Sequence, residues 1–198
     1  MPEFDLRTAS QLIRHRRTVK PVDMDSDREV DRALVEELLE NAIWAPTHGL
    51  TQPWRFRIYT GMARLALGES LQQVYREITP ADKFREDKLA KLARNPSLAP
   101  VVVAVCMEPD ATGKIAEVEE IEAVACAVQN MHLSAGAAGL GGFWSTPPVL
   151  SSARARGLFE LSESGQCLGL FYLGWPKPGF SWPKGVREAA ESKTVWLS

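Results

Sequence analysis

Two stretches near the start of the chain space their apolar residues as amphipathic helices do. Residues 4–17 have apolar side chains three or four positions apart, at Leu6, Ala9, Leu12 and Ile13. Residues 31–45 form a longer apolar stripe, made of Leu34, Val35, Leu38, Leu39, Ala42 and Ile43. We expect this second helix to end near Ala45, because Pro46 disfavours helical geometry in the residue before it.

Later segments have the patterns of strands. Residues 54–59 alternate apolar side chains with Arg55 and Arg57, which predicts a half-buried strand. Residues 101–107 and 168–175 are apolar without alternation, as in strands that are covered on both faces. Residues 194–197 also have a strand-like composition, and they follow a long segment that contains proline and glycine.

Residues 119–138 predict a helix of a different kind. The segment is rich in alanine and has little polar surface beyond its first turn, so we expect it to be buried nearly all round and to end at Gly139. In a chain this short, so apolar a helix indicates a subunit interface. Residues 75–95 are instead rich in lysine and glutamate, which predicts a mobile peripheral helix or lid that covers little core. Helices that alternate with strands favour three layers around one central sheet.

The chain has 198 residues, a net charge of −2 and 45% hydrophobic residues, as expected of one globular domain spanning residues 1–198. The charge gives no general attraction to nucleic acid or to an anionic membrane. No apolar run is long enough to span a bilayer or to resemble a signal peptide. Cys106, Cys126 and Cys167 are far apart in sequence, so we expect no metal site, no disulfide framework and a reduced, cytoplasmic setting.

A basic cluster, Arg14-His15-Arg16-Arg17, has three interpretations. It could be a solvated helix end, a nucleic-acid patch or a phosphate site. Two guanidinium groups can bind a phosphate in a bidentate manner, and the hydroxyl of Thr18 supplies a further donor. The hydroxyl of Thr18 favours the phosphate site over the other two interpretations.

His48 lies in a loop that is flanked by prolines, which fix the direction of its side chain. A single loop histidine is more often structural than functional, so the residues alone leave its role open. His15 and His132 fall on predicted helices, and we expect both to be structural. The glycine cluster in residues 136–142 closes a helix instead of opening one after a strand, which argues against a Rossmann dinucleotide turn.

Four ordered segments resemble the nitroreductase family. They are Arg16-Arg17-Thr18, the loop Ala-Pro-Thr-His-Gly-Leu-Thr-Gln-Pro-Trp at 45–54, Gly-Phe-Trp-Ser-Thr at 142–146, and the late strand at 168–176. The resemblance implies an α+β fold, a three-layer α/β/α sandwich around a mixed, mainly antiparallel sheet. It also implies a homodimer with two FMN sites at the subunit interface.

The same resemblance implies roles for individual residues. Arg16, Arg17 and Thr18 would bind the FMN phosphate. The loop of His48 would reach the flavin held mainly by the partner subunit, with His48 as a ring contact, an acceptor contact or a proton donor. The remaining implied flavin contacts are Trp44, Gln52, Trp144, Ser145 and Thr146.

The implied activity is an FMN-dependent oxidoreductase. Hydride would pass from NADH or NADPH through flavin N5 to an electron-poor small molecule, such as a nitroaromatic or a quinone, in a ping-pong sequence. Two other classes stay open. A flavin-binding or flavin-delivery protein on the same fold would be yellow without oxidising NAD(P)H. A nucleic-acid-binding module using Arg14–Arg17 would bind DNA with strong salt dependence, and the acidic balance of the chain disfavours it.

Overall fold

The computed structural model describes residues 5–197, which form a four-stranded sheet between two layers of helices. The strands are β1 (Trp54–Thr60), β2 (Val101–Met107), β3 (Gly141–Ser145) and β4 (Gln166–Gly174). They lie in the order β1-β2-β4-β3, and every strand pair is antiparallel. The predicted α+β sandwich is confirmed. The expected mixed sheet is not, because the parallel pairing in the described residues is a single bridge between Thr18 and Gly142.

The helices are α1 (Leu6–His15), α2 (Arg32–Ala42), α3 (Gly61–Ile78), α4 (Glu86–Leu98), α5 (Glu117–Ala137) and α6 (Ala153–Leu158). Strand β2 separates two hydrophobic clusters and is buried along its whole length, as its unbroken apolar run predicted. Its even-numbered residues pack with α3, α4 and α6, and its odd-numbered residues pack with α2 and α5. No helix in the described part of the chain is long and apolar enough to cross a membrane.

The first two predicted helices are present. Asp5 caps α1 by accepting from the backbone of its first turn, and Asp31 caps α2 in the same way. Helix α2 ends at Ala42, three residues before the end that Pro46 predicted, and the chain continues in turns to Ala45. Helix α1 buries none of its side chains in this chain, so its apolar stripe is exposed.

The prediction for residues 75–95 was right about a helix with a largely exposed surface and wrong about a lid. This stretch contains the end of α3 and most of α4; α3 packs on the sheet, and α4 packs mainly on α3, through buried side chains that include Tyr75, Leu89 and Leu92. The two helices approach closely at Gly68, where a Cβ would lie against the backbone of Ala93. A few buried side chains therefore attach this otherwise exposed stretch to the core, and it is not a lid.

Two further expectations need correction. Helix α5 buries one side only, and its other side is exposed at Val118, Glu122, Cys126, Gln129 and Gly136. The prediction that it is buried nearly all round therefore fails for one chain. Residues 194–197 form no strand in the described chain, and the side chains of Trp196 and Leu197 are more than nine-tenths exposed.

Candidate functional site

The turn after α1 brings Arg16 and Arg17 against the start of β3. Thr18 forms the parallel bridge with Gly142, and the amide of Val19 donates to the carbonyl of Gly142 at 3.1 Å. Val19 is completely buried, which anchors the turn. A Cβ at either glycine that opens β3 would collide with neighbouring side chains, so glycine is needed for this close approach.

Arg17 is held by carbonyl groups of the described chain. Its Nε donates to the carbonyl of Pro183 at 2.8 Å, and its Nη1 donates to the carbonyls of Arg14 at 2.5 Å and Arg16 at 2.8 Å. The guanidinium also lies against the backbone of Gly185. The segment near 183–185 therefore covers one side of the turn.

Positive charge accumulates at this turn without compensation. The pKa of Arg16 is lowered, first by partial burial and then by the neighbouring guanidinium groups of Arg187 and Arg17. None of these three arginines takes part in an ion pair within residues 5–197. A cavity of about 340 Å³ opens beside them and is lined by Leu12, His15, Arg16, Arg17, Gly136, Trp182 and Pro183. An uncompensated cluster of guanidinium groups beside a cavity is suited to an anion.

His132 lies directly beneath the turn. Its Nε2 is 3.1 Å from the carbonyl of Arg17, and Nη1 of Arg16 lies 3.5 Å from each ring nitrogen. Burial, followed by the charge of Arg16, lowers the pKa of His132 to about 4. The ring is therefore neutral near pH 7, with Nε2–H donating to the carbonyl of Arg17. His132 is structural, as predicted, but its place under this turn has no signal in the sequence beyond its position on α5.

The loop that contains His48 has an unusual backbone. Gly49, Leu50 and Gln52 all have positive φ angles, of 60°, 56° and 47°. Two of these are not glycine, and such conformations cost about 1–3 kcal/mol each and persist only when the surroundings impose them. The surroundings here must therefore hold the loop in place.

Two carboxylates from the first turn of α5 provide that hold. Oε2 of Glu119 lies 2.5 Å from Nδ1 of His48, and Oε2 of Glu120 accepts from the hydroxyl of Thr51 at 2.9 Å. Glu120 is only 1% exposed and also accepts from the amide of Asp110 at 3.3 Å. Sequence reasoning missed both glutamates, because nothing in their spacing links them to a loop about 70 residues earlier.

The other predicted contacts are distributed over two places. Trp44 is 80% exposed at the end of α2, and Gln52 is exposed in the His48 loop. Trp144, Ser145 and Thr146 lie at the end of β3. The Nε1 donor of Trp144 is buried and has no hydrogen-bond partner in the described chain.

One chain does not bring the arginine turn and the His48 loop together. The loop contacts Glu119 near the start of α5, whereas the turn contacts His132 towards its end. At 1.5 Å per residue these positions are separated by about 20 Å along the helix. Strand β3 follows a reversal at Gly139, and Trp144 lies opposite Phe171 of β4, two residues beyond the bridge between Thr18 and Gly142.

The whole chain is also similar to known proteins. A family model described as the nitroreductase family matches residues 13–175. The chain belongs to the nitroreductase family. An Escherichia coli K12 protein named as an NAD(P)H nitroreductase, YdjA, is 30% identical over 72% of this chain and 76% of its own length. YfhC of Bacillus subtilis, also named as an NAD(P)H nitroreductase, is 26% identical over 83% of this chain and 82% of its own length.

Solved structures of this family share the fold. A nitroreductase-like protein from Bacillus cereus superposes with a TM-score of 0.77 and 23% identity, covering 100% of this chain and 98% of its own. A Desulfovibrio desulfuricans nitroreductase in complex with FMN gives 0.70 and 22%, covering 99% of each chain. NfnB of Mycobacterium smegmatis, an FMN-dependent nitroreductase in complex with NADPH, gives 0.71 and 20%, covering 98% of this chain and 100% of its own. These similarities support the fold, and the residue roles stay predictions.

Proposed function

We propose that the protein is an FMN-dependent NAD(P)H oxidoreductase. The observation that carries the proposal is the uncompensated positive charge of Arg16 and Arg17 beside a cavity, with Arg187 near Arg16, in a chain of the nitroreductase family. When bound, FMN would supply the hydride-transfer chemistry between NADH or NADPH and an electron-poor acceptor such as a nitroaromatic or a quinone. The protein itself binds and orients the reactants.

Arg16 and Arg17 would contribute to phosphate binding in different ways. Arg17 already donates through Nε and Nη1 to carbonyl groups, so it contributes mainly charge and a fixed position. Arg16 makes only long contacts with a neutral histidine, which leaves its guanidinium available for a bidentate bond to phosphate oxygens. Thr18 adds a hydroxyl donor. The observed charge and cavity therefore fit the phosphate end of FMN.

The ring of the cofactor would follow β3 away from the arginines. Trp144, Ser145 and Thr146 continue the line from Gly142, where the arginine turn bridges to the strand. At Gly142 the space for a side chain is filled by Phe171 and His132, which hold the start of β3 close to the arginine turn.

A homodimer would complete the site. Within one chain the His48 loop lies about 20 Å along α5 from the arginine turn, so His48 of the partner subunit is the better candidate to reach the ring. Exposed apolar side chains on α1 and on the last residues offer surfaces for a second copy, with Leu6, Ile13, Trp196 and Leu197 all more than half exposed. His48 would orient the acceptor or give it a proton, with Nδ1 facing Glu119 and Nε2 free.

The visible spectrum of the purified protein, followed by anaerobic addition of NADH or NADPH, tests this function. We expect a flavin spectrum that bleaches on addition of one of the nicotinamides and returns when a quinone or nitroaromatic is added. A flavin spectrum that neither nicotinamide bleaches would favour the flavin-delivery alternative. A colourless protein that does not take up FMN would overturn the proposal.

Sedimentation velocity tests the dimer. We expect a dimer at micromolar concentration, and we expect removal of residues 194–198 to weaken it if these residues pair with the partner's sheet. A monomer that retains flavin would show that the two-subunit site is wrong while leaving the oxidoreductase activity open.

A further inference from the structure

Cys106 and Cys167 oppose each other on neighbouring strands of the central sheet. The register of β2 and β4 pairs them directly, at a bulge that follows Val105. Both side chains belong to the hydrophobic cluster on the face of α3, α4 and α6. Opposed residues in antiparallel strands have Cα atoms about 4.5–5.5 Å apart. That separation lies within the range of about 4.4–6.8 Å that a disulfide spans.

The two thiols have different chemical characters. The neighbouring Cys106 thiol lowers the pKa of Cys167, whereas the Cys167 thiol and burial raise the pKa of Cys106. Because the thiolate is the nucleophile, Cys167 is the thiol that attacks and Cys106 is the thiol that keeps its proton. This pairing of a nucleophile with a neighbouring thiol is the arrangement of a resolving pair.

Both cysteines are buried, but only Cys167 borders a cleft. Cys106 is completely buried, whereas Cys167 is 6% exposed and lines an open cleft of about 870 Å³. Four carboxylates and one guanidinium line this cleft, from Glu108, Asp110, Glu117, Glu163 and Arg156. The negative balance disfavours anionic reagents and admits small neutral ones.

We propose that Cys106 and Cys167 form a reversible dithiol–disulfide couple that hydrogen peroxide oxidises. The Cys167 thiolate attacks one peroxide oxygen and the O–O bond breaks, giving a sulfenic acid and, after protonation, one water. The sulfur of Cys106 then attacks the sulfenic sulfur, the S–O bond breaks and a second water leaves with the thiol proton. Two thiols lose two hydrogens and two electrons, and one peroxide becomes two waters.

The bulge beside this pair leads towards the proposed cofactor path. The Cys167 thiol lies 3.6 Å from the carbonyl of Gly169, to which it donates. Gly169 has a φ of 151° and packs directly under the indole of Trp144. Oxidation removes the thiol proton, so this hydrogen bond is lost next to Trp144. The proposed couple itself does not depend on the proposed oxidoreductase function.

Intact mass and peptide mapping of the folded wild-type protein test the couple. After treatment with hydrogen peroxide we expect a linked Cys106–Cys167 peptide pair that dithiothreitol releases. In a Cys126→Ser background, which removes the exposed third thiol, we expect a mass loss of two hydrogens and no free thiol. Oxidised glutathione, which is larger and anionic, should leave both thiols free.

Single variants separate the two roles. In Cys106→Ser the sulfenic acid of Cys167 should persist and react with dimedone, whereas in Cys167→Ser the thiol of Cys106 should stay unmodified. Wild-type mapping decides the question even if a variant fails to fold. The proposal is overturned if Cys106 and Cys167 both remain alkylatable after unfolding of protein whose Cys126 has been oxidised by the same treatment.

Discussion

The arginine turn and the His48 loop are both polar segments that contact α5, yet their charges are satisfied in opposite ways. Arg16, Arg17 and Arg187 have no acidic partner in the described chain. His48 and Thr51 instead meet the carboxylates of Glu119 and Glu120. This difference indicates that the arginines of the turn are available to bind a negatively charged ligand, whereas the polar groups of the loop stabilise the conformation of the loop itself.

The arginine turn and the His48 loop also differ in backbone conformation. The turn is fixed by buried Val19 and by close approach at Gly142, with no positive φ among its residues. The loop has two left-handed residues that are not glycine, Leu50 and Gln52. Strain of this kind persists when neighbours impose it, and it is often found where a side chain must point in one direction. We therefore expect affinity to depend on the turn and reactivity to depend on the loop.

The largest effect should follow removal of the unpaired charge. Arg16→Ala with Arg17→Ala should yield mostly apoprotein, since each hydrogen bond to a charged group contributes about 1.5–3 kcal/mol. Flavin content after gel filtration measures the loss, with Arg7→Ala on exposed α1 as the matched control. Full occupancy in the double variant would show that the phosphate lies elsewhere.

The single arginine variants sharpen this result. Arg17→Ala should also lower the melting temperature of the flavin-free protein, because it removes the bonds to the carbonyls of Arg14, Arg16 and Pro183. Arg16→Ala should weaken flavin binding with little change in that melting temperature. Equal melting temperatures for the two variants would contradict the proposal that Arg17 stabilises the turn and Arg16 mainly binds the phosphate.

The next largest effect concerns the buried carboxylate behind the loop. Glu120→Ala leaves the hydroxyl of Thr51 and the amide of Asp110 without their acceptor, which should cost about 1–3 kcal/mol of unfolding free energy. Urea unfolding measures this cost, and Glu120→Gln should recover part of it. Flavin content should change much less than in the arginine variants. An unchanged unfolding midpoint in Glu120→Ala would mean that the conformation of the loop does not depend on Glu120.

A pH-dependent contribution comes from the histidine under the turn. The pKa of His132 falls from 6.5 to about 4 on folding, so the unfolded chain binds more protons between these values. Stability should therefore decrease as the pH falls from 6.5 to 4, by up to about 1.4 kcal/mol per pH unit from this group. His132→Gln, which cannot titrate, should flatten this part of the profile. An equal slope in wild type and His132→Gln would refute the assignment.

The smallest effect should come from His48. His48→Ala should retain flavin and the half-reaction with NAD(P)H, because neither needs this side chain. The half-reaction with a quinone or nitroaromatic should slow about tenfold, equivalent to about 1.4 kcal/mol. Stopped-flow measurement of both half-reactions decides this, with Glu119→Gln as a variant that disturbs only the ring's orientation. Unchanged rates with several acceptors would make His48 a purely structural loop residue.

The sequence predicted the parts of the fold whose pattern is local. The unbroken apolar run of β2 specified a strand that is covered on both faces, and the stripe of α2 specified a helix with one buried face. The attachment of α4 to the core escaped prediction because only a few apolar side chains, Leu89 and Leu92 among them, make that contact. Close packing at Gly68 completes the contact, and such packing leaves no periodic trace.

The sequence predicted the site residues that belong to the family motifs, but it did not predict the residues that hold those motifs in place. Arg16 and His48 belong to motifs that can be recognised in the chain. His132 and Glu120 act through contacts between residues that are about 115 and 69 positions apart in sequence. Only the folded chain brings such partners together, so no local spacing could have named them.

Strand β1 lies at one border of the sheet, and its outer side has no strand partner in the described chain. An uncovered border of this kind is a template for uncontrolled association of chains. Arg55 and Arg57 place positive charge along β1 and oppose such stacking, but Ile58 is 39% exposed there. The tendency of the protein to precipitate should therefore depend on the exposure of this border, and it should not follow the melting temperature of the fold.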